Sequence, residues 1–369
     1  MIQNKKFIIS GGGSGGHIFP AIAIANALKE AYPHCDILFV GAKGKMEMEK
    51  VPAAGFPIEG LWISGFQRRL SIQNLSFPFK VISSLRKARS IIKKFNPDLV
   101  IGVGGFASGP TLHQAAKMGF PTLIQEQNSY PGITNIILSK KVDKICVAYD
   151  NMDKYFPKEK IFFTGNPVRK EVVQIEGKRD KALDFFGLEA SKIVVLVVGG
   201  SLGARTINES IEAHLKDFHA YNIQLIWQTG KNYQAQAQRA VDAMPKDSGI
   251  VTTAFINKMD IAYAAADIVV SRAGAIAISE LCVVKKPVIL VPSPFVAEDH
   301  QTKNALALQT NHAAVLVKDA EQKEKLMPEI IRLATNNHDR ETLIRNIASL
   351  GIQEATTAIV SVANSLLKV

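Results

Sequence analysis

The chain has 369 residues, 47% hydrophobic and 21% charged, a size and balance that call for two globular domains and exclude a low-complexity or disordered protein. Its net charge of +11 points to a polyanionic partner, yet no apolar run approaches the roughly 20 residues of a membrane-spanning helix, and the apolar stretch at 7–9 meets glycines too soon for a signal peptide. Cys35, Cys146 and Cys282 lie far apart with no CxxC pair, which disfavours zinc and disulfides and reads as buried free thiols in a reducing cytoplasm.

In chain order, a strand near Lys5 runs into GGGSGGH, Gly11 to His17, and then into a helix over 18–31. In that helix Ile18, Ala21, Ile22, Ala25 and Leu28 follow the i, i+3, i+4, i+7 spacing of a buried stripe. A strand at 36–40 follows, then a loop, a helix at 79–95, a strand at 98–103, a helix at 110–118 and a strand at 121–124. Short apolar strands alternating with helices imply right-handed βαβ units and parallel sheets covered on both faces. Gly165 and Pro167 in TGNPVR break any regular element, so the expected domains are 1–164 and 165–350, with a last helix over 351–369 free to pack on either. The second half repeats the plan without repeating the sequence: strand 192–198, helix 205–215, strand 223–227, helix 232–243, strand 267–271, helix 275–284 and strand 287–291.

Four strand-to-helix junctions are glycine-rich: Gly11–Gly16, the run Gly102, Gly104, Gly105, Gly109, the run Gly199, Gly200, Gly203, and Gly274. Such turns bring backbone N–H groups close to an anion, and the helix N-terminus adds about half a positive charge. Gly11-x-Gly13-x-x-Gly16 satisfies the dinucleotide fingerprint, but the strand ends at Val40 and Gly41, Ala42 and Lys43 supply no acid for a ribose. A Walker A loop is excluded because His17 and Ile18 follow Gly16. No two aspartates stand two apart, so the D-x-D pair of a metal-dependent sugar transferase is missing, and a departing diphosphate must rest on backbone amides and helix dipoles at Gly199 and Gly274. His17 ends the first loop at a helix N-terminus, which favours the neutral imidazole a general base needs, though capping or acceptor binding would serve as well. Glu126, in QEQN after a strand, is the competing base, or a carboxylate that only holds backbone.

From Gly65 to Phe95 stand eight basic residues and no acid, among them Arg68, Arg69, Lys80, Arg86, Lys87 and Arg89, interleaved with Leu75, Phe77 and Phe79. Nucleic-acid recognition motifs are absent, and a basic apolar segment suits an anionic membrane surface; a solvated helix face is the alternative.

GGGSGGHIFPA, GGFASGP, QEQN, TGNPVR, GGSLGARTIN, SRAGAIAISE and AEDHQTKNA occur in an order and at intervals that resemble the MurG family, from residue 6 to about residue 310. Ser14, Leu202 and Phe106 depart from the Thr, Gln and Tyr usual there. The resemblance implies an α/β GT-B glycosyltransferase with two Rossmann-like domains facing across a cleft. It implies inverting, metal-independent transfer of N-acetylglucosamine (GlcNAc) from UDP-GlcNAc to a muramyl-pentapeptide diphospho-undecaprenol, on the cytoplasmic face of the bacterial inner membrane, without a cofactor. Cell-wall synthesis proteins would be its partners, and a UDP-GlcNAc 2-epimerase or an NAD-dependent oxidoreductase are the rivals.

By the same resemblance, Ser14, Gly15 and Gly16 touch substrate, and Gly13, Gly104, Gly105 and Ser108 hold the acceptor diphosphate. Asn128, His300 and Gln301 would contact the donor sugar, Arg169 and the backbone of Ile256 the uracil end, and Ser201 the phosphates. Ala275, Ile276, Ala277, Ile278 and Ser279 open the helix that carries Glu280 to the ribose hydroxyls. The bland alternatives are a turn for Asn128, a surface ion pair for Arg169, core for Ile256 and a solvated helix position for Glu280.

Overall fold

Short β-branched runs flanked by glycine turns become parallel strands in two separate sheets. The computed structural model describes residues 4–65 and 77–367. The chain divides into two units, Met1–Val168 with Glu354–Val369, and Arg169–Gln353.

Unit 1 runs β1 (Lys6–Ser10), α1 (Gly15–Ala31), β2 (Asp36–Ala42), α2 (Glu47–Ala53), β3 (Ile58–Leu61), α3 (Phe77–Phe95), β4 (Leu99–Gly102), α4 (Ser108–Lys117), β5 (Thr122–Glu126), α5 (Ile133–Ser139), β6 (Lys144–Val147) and β7 (Ile161–Phe163). Among the described residues its sheet has seven strands in the order β3-β2-β1-β4-β5-β6-β7, each pair parallel. In β1, Phe7 and Ile9 face α1 while Ile8 faces the opposite layer with Ala88, Ile91 and Ile92 of α3, so alternate residues of one strand serve two cores.

Unit 2 runs α6 (Lys170–Val173), α7 (Arg179–Phe186), β8 (Ile193–Val198), α8 (Arg205–Ala213), α9 (Leu215–Ala220), β9 (Ile223–Gln228), α10 (Gln234–Asp242), β10 (Ile250–Thr253), α11 (Met259–Ala265), β11 (Ile268–Ser271), α12 (Ala275–Val284), β12 (Val288–Leu290), α13 (His300–Thr310), β13 (Val315–Leu316), α14 (Gln322–Thr335) and α15 (Asn337–Ala348). Its six described strands order as β10-β9-β8-β11-β12-β13, again all parallel. Trp227 is fully buried in this core, and its indole N–H donates to Asn208 Oδ1 at 3.0 Å, so the one polar atom of the ring is satisfied.

The last helix, α16 (Ala355–Asn364), belongs to unit 1. Ile359, Val360 and Ala363 join the stripe of α1, and Tyr32 Oη donates to Asn364 Oδ1 at 2.8 Å. The three cysteines are free, and burial pushes the thiols of Cys146 and Cys282 up to about 12. Cys35 is only half buried.

The strand orders place the glycine junctions. In each sheet the direction of winding reverses at one pair of neighbours, β1 and β4 in unit 1 and β8 and β11 in unit 2. The loops beyond the carboxyl ends of such a pair diverge and open a crevice, the usual ligand position of an open α/β sheet. The four glycine-rich junctions are the four loops that follow β1, β4, β8 and β11.

Candidate active site

In unit 1 the loops after β1 and β4 meet. Gly105 has φ +87° and a Cβ there would stand 2.2 Å from the Gly12 carbonyl oxygen, so the contact admits only glycine. A Cβ on Gly104 would stand 2.8 Å from His17 Cδ2, which seats the imidazole against bare backbone. The helix α1 begins at Gly15, three residues earlier than periodicity indicates, so His17 lies in its first turn with its N–H on the Ser14 carbonyl at 3.1 Å. His17 Nδ1 lies 3.3 Å from Ser14 Oγ. Ser14 and Gly16 are exposed, Gly15 half-buried.

Two of the expected diphosphate residues are already committed within the fold. The Gly13 N–H is taken by Glu47 Oε2 at 2.8 Å. Ser108 is fully buried, its hydroxyl packed beneath Gly102. Glu126, the competing base, is fully engaged by its own segment. It is 2% exposed and accepts four donors: the Asn128 N–H at 3.0 Å and side chain at 3.2 Å on Oε1, and the Gly132 N–H at 3.1 Å and Asn135 side chain at 2.8 Å on Oε2. A carboxylate saturated this way shapes the turn after β5, and Asn128 is part of the same turn.

The other amides of QEQN and TGNPVR form a buried network. Gln125 Nε2 donates to Asn166 Oδ1 at 3.0 Å, Asn166 Nδ2 to the Gln127 carbonyl at 3.0 Å, and Gln127 Nε2 to the Val103 carbonyl at 3.0 Å. These residues, which sequence reasoning passed over, fasten the strand just before Gly104.

On α3, Phe79 and Ile82 are 69% and 49% exposed and share an outward face with Arg86, Arg89 and Lys93, at helical spacing. Lys87 departs from the expected membrane set: its ammonium binds Glu59 at 3.0 Å and the Gly60 carbonyl at 3.0 Å. Phe77 is half-buried, and Leu75, with Arg68 and Arg69, lies outside the described residues. No helix among the described residues is long and apolar enough to cross a membrane.

In unit 2 every donor-side residue but Arg169 comes from a loop at the carboxyl end of a strand or from the helix it opens. Gly203 has φ +79°, and a Cβ would strike the Thr229 carbonyl oxygen at 2.0 Å, so the loop after β8 lies directly on the loop after β9. Gln228 joins three segments: its Nε2 donates to the Gly200 carbonyl at 2.9 Å and its Oε1 accepts the Ile256 N–H at 3.0 Å. The Ile256 N–H is therefore committed within the protein and its side chain is buried, so of its main-chain groups the carbonyl is the one left to face a base. Ser201 and Leu202 are exposed at the loop tip.

Gly274 leads into α12, where Ile276 and Ala277 are half-buried and the Ser279 hydroxyl donates to the Ala275 carbonyl at 2.9 Å. Ala275 and Ile278 are buried in the same helix. Glu280 is 4% exposed rather than solvated. Its Oε1 accepts Arg169 Nε at 3.1 Å and Nη2 at 3.0 Å, and Tyr263 Oη lies 3.4 Å from Oε2. Burial holds this carboxyl above its ordinary range against the pull of Arg169 and Tyr263. Gln301 Oε1 accepts the Ser293 N–H at 2.8 Å, and His300 lies 3.9 Å from Glu298. Beneath these loops Arg272 donates to the Val291 and Pro292 carbonyls at 3.0 and 3.1 Å, to Asp319 at 2.5 Å and to Thr206 at 3.0 Å, tying the ends of β11 and β12 to the start of α8. Among the described residues no cluster of three or more His, Cys, Asp or Glu could hold a metal.

Residues 7–147 match the glycosyltransferase family 28 N-terminal domain and residues 194–359 the family 28 C-terminal domain. A Porphyromonas gingivalis UDP-N-acetylglucosamine--N-acetylmuramyl-(pentapeptide) pyrophosphoryl-undecaprenol N-acetylglucosamine transferase is 56% identical over 356 residues, 96% of this chain and 94% of that protein. The transferase of the same name from Flavobacterium psychrophilum is 51% identical over 359 residues, 97% of each chain. The crystal structure of Acinetobacter baumannii MurG superposes with a TM-score of 0.80 at 26% identity, covering 98% of this chain and 99% of that one. With two parallel-sheet units of the GT-B type and this degree of identity over nearly its whole length, the chain belongs to the MurG family of glycosyltransferases, within glycosyltransferase family 28.

Proposed function

We propose that this chain transfers GlcNAc from UDP-GlcNAc to the 4-hydroxyl of a muramyl-pentapeptide diphospho-undecaprenol, with inversion at the anomeric carbon. The observation that carries this reading is the placement of a glycine-loop pair at each switch point, one pair seating His17 in unit 1 and the other including the loop that opens the helix of Glu280 in unit 2. The hydroxyl oxygen bonds to the anomeric carbon as the bond to the UDP oxygen breaks, its proton passing to His17. UDP leaves with its charge facing the loop after β8 and the N-terminus of α12, both donor-rich. With Glu126 saturated, His17 is the base of choice. Arg169, Glu280 and the Gln228-braced loops hold the nucleoside end, and His300 and Gln301 the sugar.

The outward face of α3 lays the protein on an anionic membrane surface, where the lipid acceptor resides. Because the chain has no D-x-D pair, transfer keeps its rate in EDTA; a loss restored by Mg²⁺ overturns that part.

The test is transfer of labelled sugar to a short-chain lipid acceptor. One UDP should appear per sugar transferred, and His17→Ala should cost about 10²–10⁴ in kcat with donor affinity unchanged. Turnover of UDP-GlcNAc without acceptor, yielding a 2-epimer, would instead make the chain an epimerase.

A further inference from the structure

We propose that Glu47 is a positioning residue for transfer, fixing the glycine loop after β1 and through it the ring of His17. The proposal rests on the reading of His17 given above. Glu47 opens α2 and is 1% exposed, a buried carboxylate inside a loop whose composition advertises anion binding. Its Oε2 accepts the Gly13 N–H at 2.8 Å, and its Oε1 the Ala42 N–H at 2.9 Å at the end of β2. Space for the carboxylate comes from two glycines. A Cβ on Gly12 would stand 2.3 Å from its carboxyl carbon, and one on Gly41 would stand 2.6 Å from its Cγ. Gly12 in turn supplies the carbonyl against which Gly105 lies, and Gly104 is the surface under the imidazole. A continuous series of contacts therefore runs from the end of β2 through Glu47, Gly12 and Gly13, across to Gly105 and Gly104, and onto His17.

Two consequences follow for the chemistry. The Gly13 N–H is already committed to Glu47, and the loop fixed in this way carries His17 at its end. A dinucleotide fold would turn an acid after β2 outward to a ribose; here the acid is turned inward, onto the loop itself.

Glu47→Gln keeps the size of the side chain but sets an NH₂ against one of two backbone N–H groups, so one contact is lost and the loop shifts. Placement errors near 1 Å cost on the order of 10²-fold in rate. We expect Glu47→Gln to lower kcat for a soluble lipid-diphosphate acceptor on the order of 10²-fold, with the KM and calorimetric Kd for UDP-GlcNAc unchanged. The decisive readout is a double-mutant cycle. If Glu47 acts through His17, adding Glu47→Gln to His17→Ala costs nothing further. Glu47→Asp, which keeps both acceptor oxygens, recovers part of the rate. An equal loss in both backgrounds, or unchanged kcat in Glu47→Gln, overturns the proposal; unchanged donor affinity shows that unit 2 of each variant is folded. Failure of the parent to transfer sugar, or a His17→Ala variant as active as the parent, would instead sink the functional reading, so the two failures are told apart.

Discussion

Arg169 and Glu280 illustrate how burial and pairing compete at a single carboxyl. Burial disfavours the charged form and outweighs the Arg169 guanidinium, so the folded pKa stands above the ordinary 4.5. The folded state then holds a proton that the unfolded state has released. Stability is therefore complete below the unfolded value and declines as pH rises through the raised one. Glutamine carries no such charge. The unfolding free energy of Glu280→Gln relative to the parent should shift in the variant's favour as pH rises across that window, read by urea denaturation at several pH values. A shift in the opposite direction would mean that Arg169 dominates. If Glu280 also accepts the ribose hydroxyls, the same variant should lose about 1.5–3 kcal/mol of UDP-GlcNAc affinity by calorimetry, the range for hydrogen bonds to a charged group. That Glu280 sits on the helix after Gly274 is legible in the sequence; that Arg169 occupies its carboxylate is not, because the partners are 111 residues apart. Glu47 and Gln228 escape a sequence reading for the same reason, each fastening a loop that no local pattern joins to it.

At the scale of elements, the glycine junctions are legible because their function is local, a tight turn between a strand and a helix. What they touch is decided by the sheet. Gly200 and Gly203 both have positive φ, but a Cβ on Gly200 meets nothing within 4 Å, whereas one on Gly203 strikes Thr229. Gly200→Ala should therefore cost about 1 kcal/mol in backbone strain. Gly203→Ala should cost clearly more and reduce UDP-GlcNAc affinity by displacing the loop, measured by urea midpoint and calorimetry. Equal costs would contradict the contact. On α3 the amphipathic pattern and the basic run are both visible in the sequence, and the structure sorts them. Arg86→Glu with Arg89→Glu should weaken binding to anionic vesicles, each lost cation being worth about 1 kcal/mol, and more so as salt is lowered. Lys87→Glu should act chiefly on stability, through Glu59 and Gly60. Vesicle binding that depends on Lys87 as strongly as on Arg86 would reverse this assignment.

For the molecule as a whole, two nucleotide-type units follow from size and from the doubled plan of strands and helices, but the allegiance of the last helix does not. The stripe of α16 is short and apolar, and either unit offers sheet-covering helices to receive it. The stripe of α1 settles the matter: it is long, and Ile359, Val360 and Ala363 close it. Burial of an aliphatic side chain is worth about 1.5–3 kcal/mol, so α16 contributes several kcal/mol to unit 1. A chain ending at Gln353 should therefore lose transfer activity and melt at lower temperature in the part carrying α1, while still binding UDP-GlcNAc through unit 2. Substituting Ile359→Asp in the full chain should give the same result in milder form. Calorimetry of donor binding, together with amide hydrogen exchange in α1 and in α12, separates the outcomes. Accelerated exchange confined to α1 with donor affinity intact is expected, and loss of donor binding in both variants would mean that α16 supports the second unit instead.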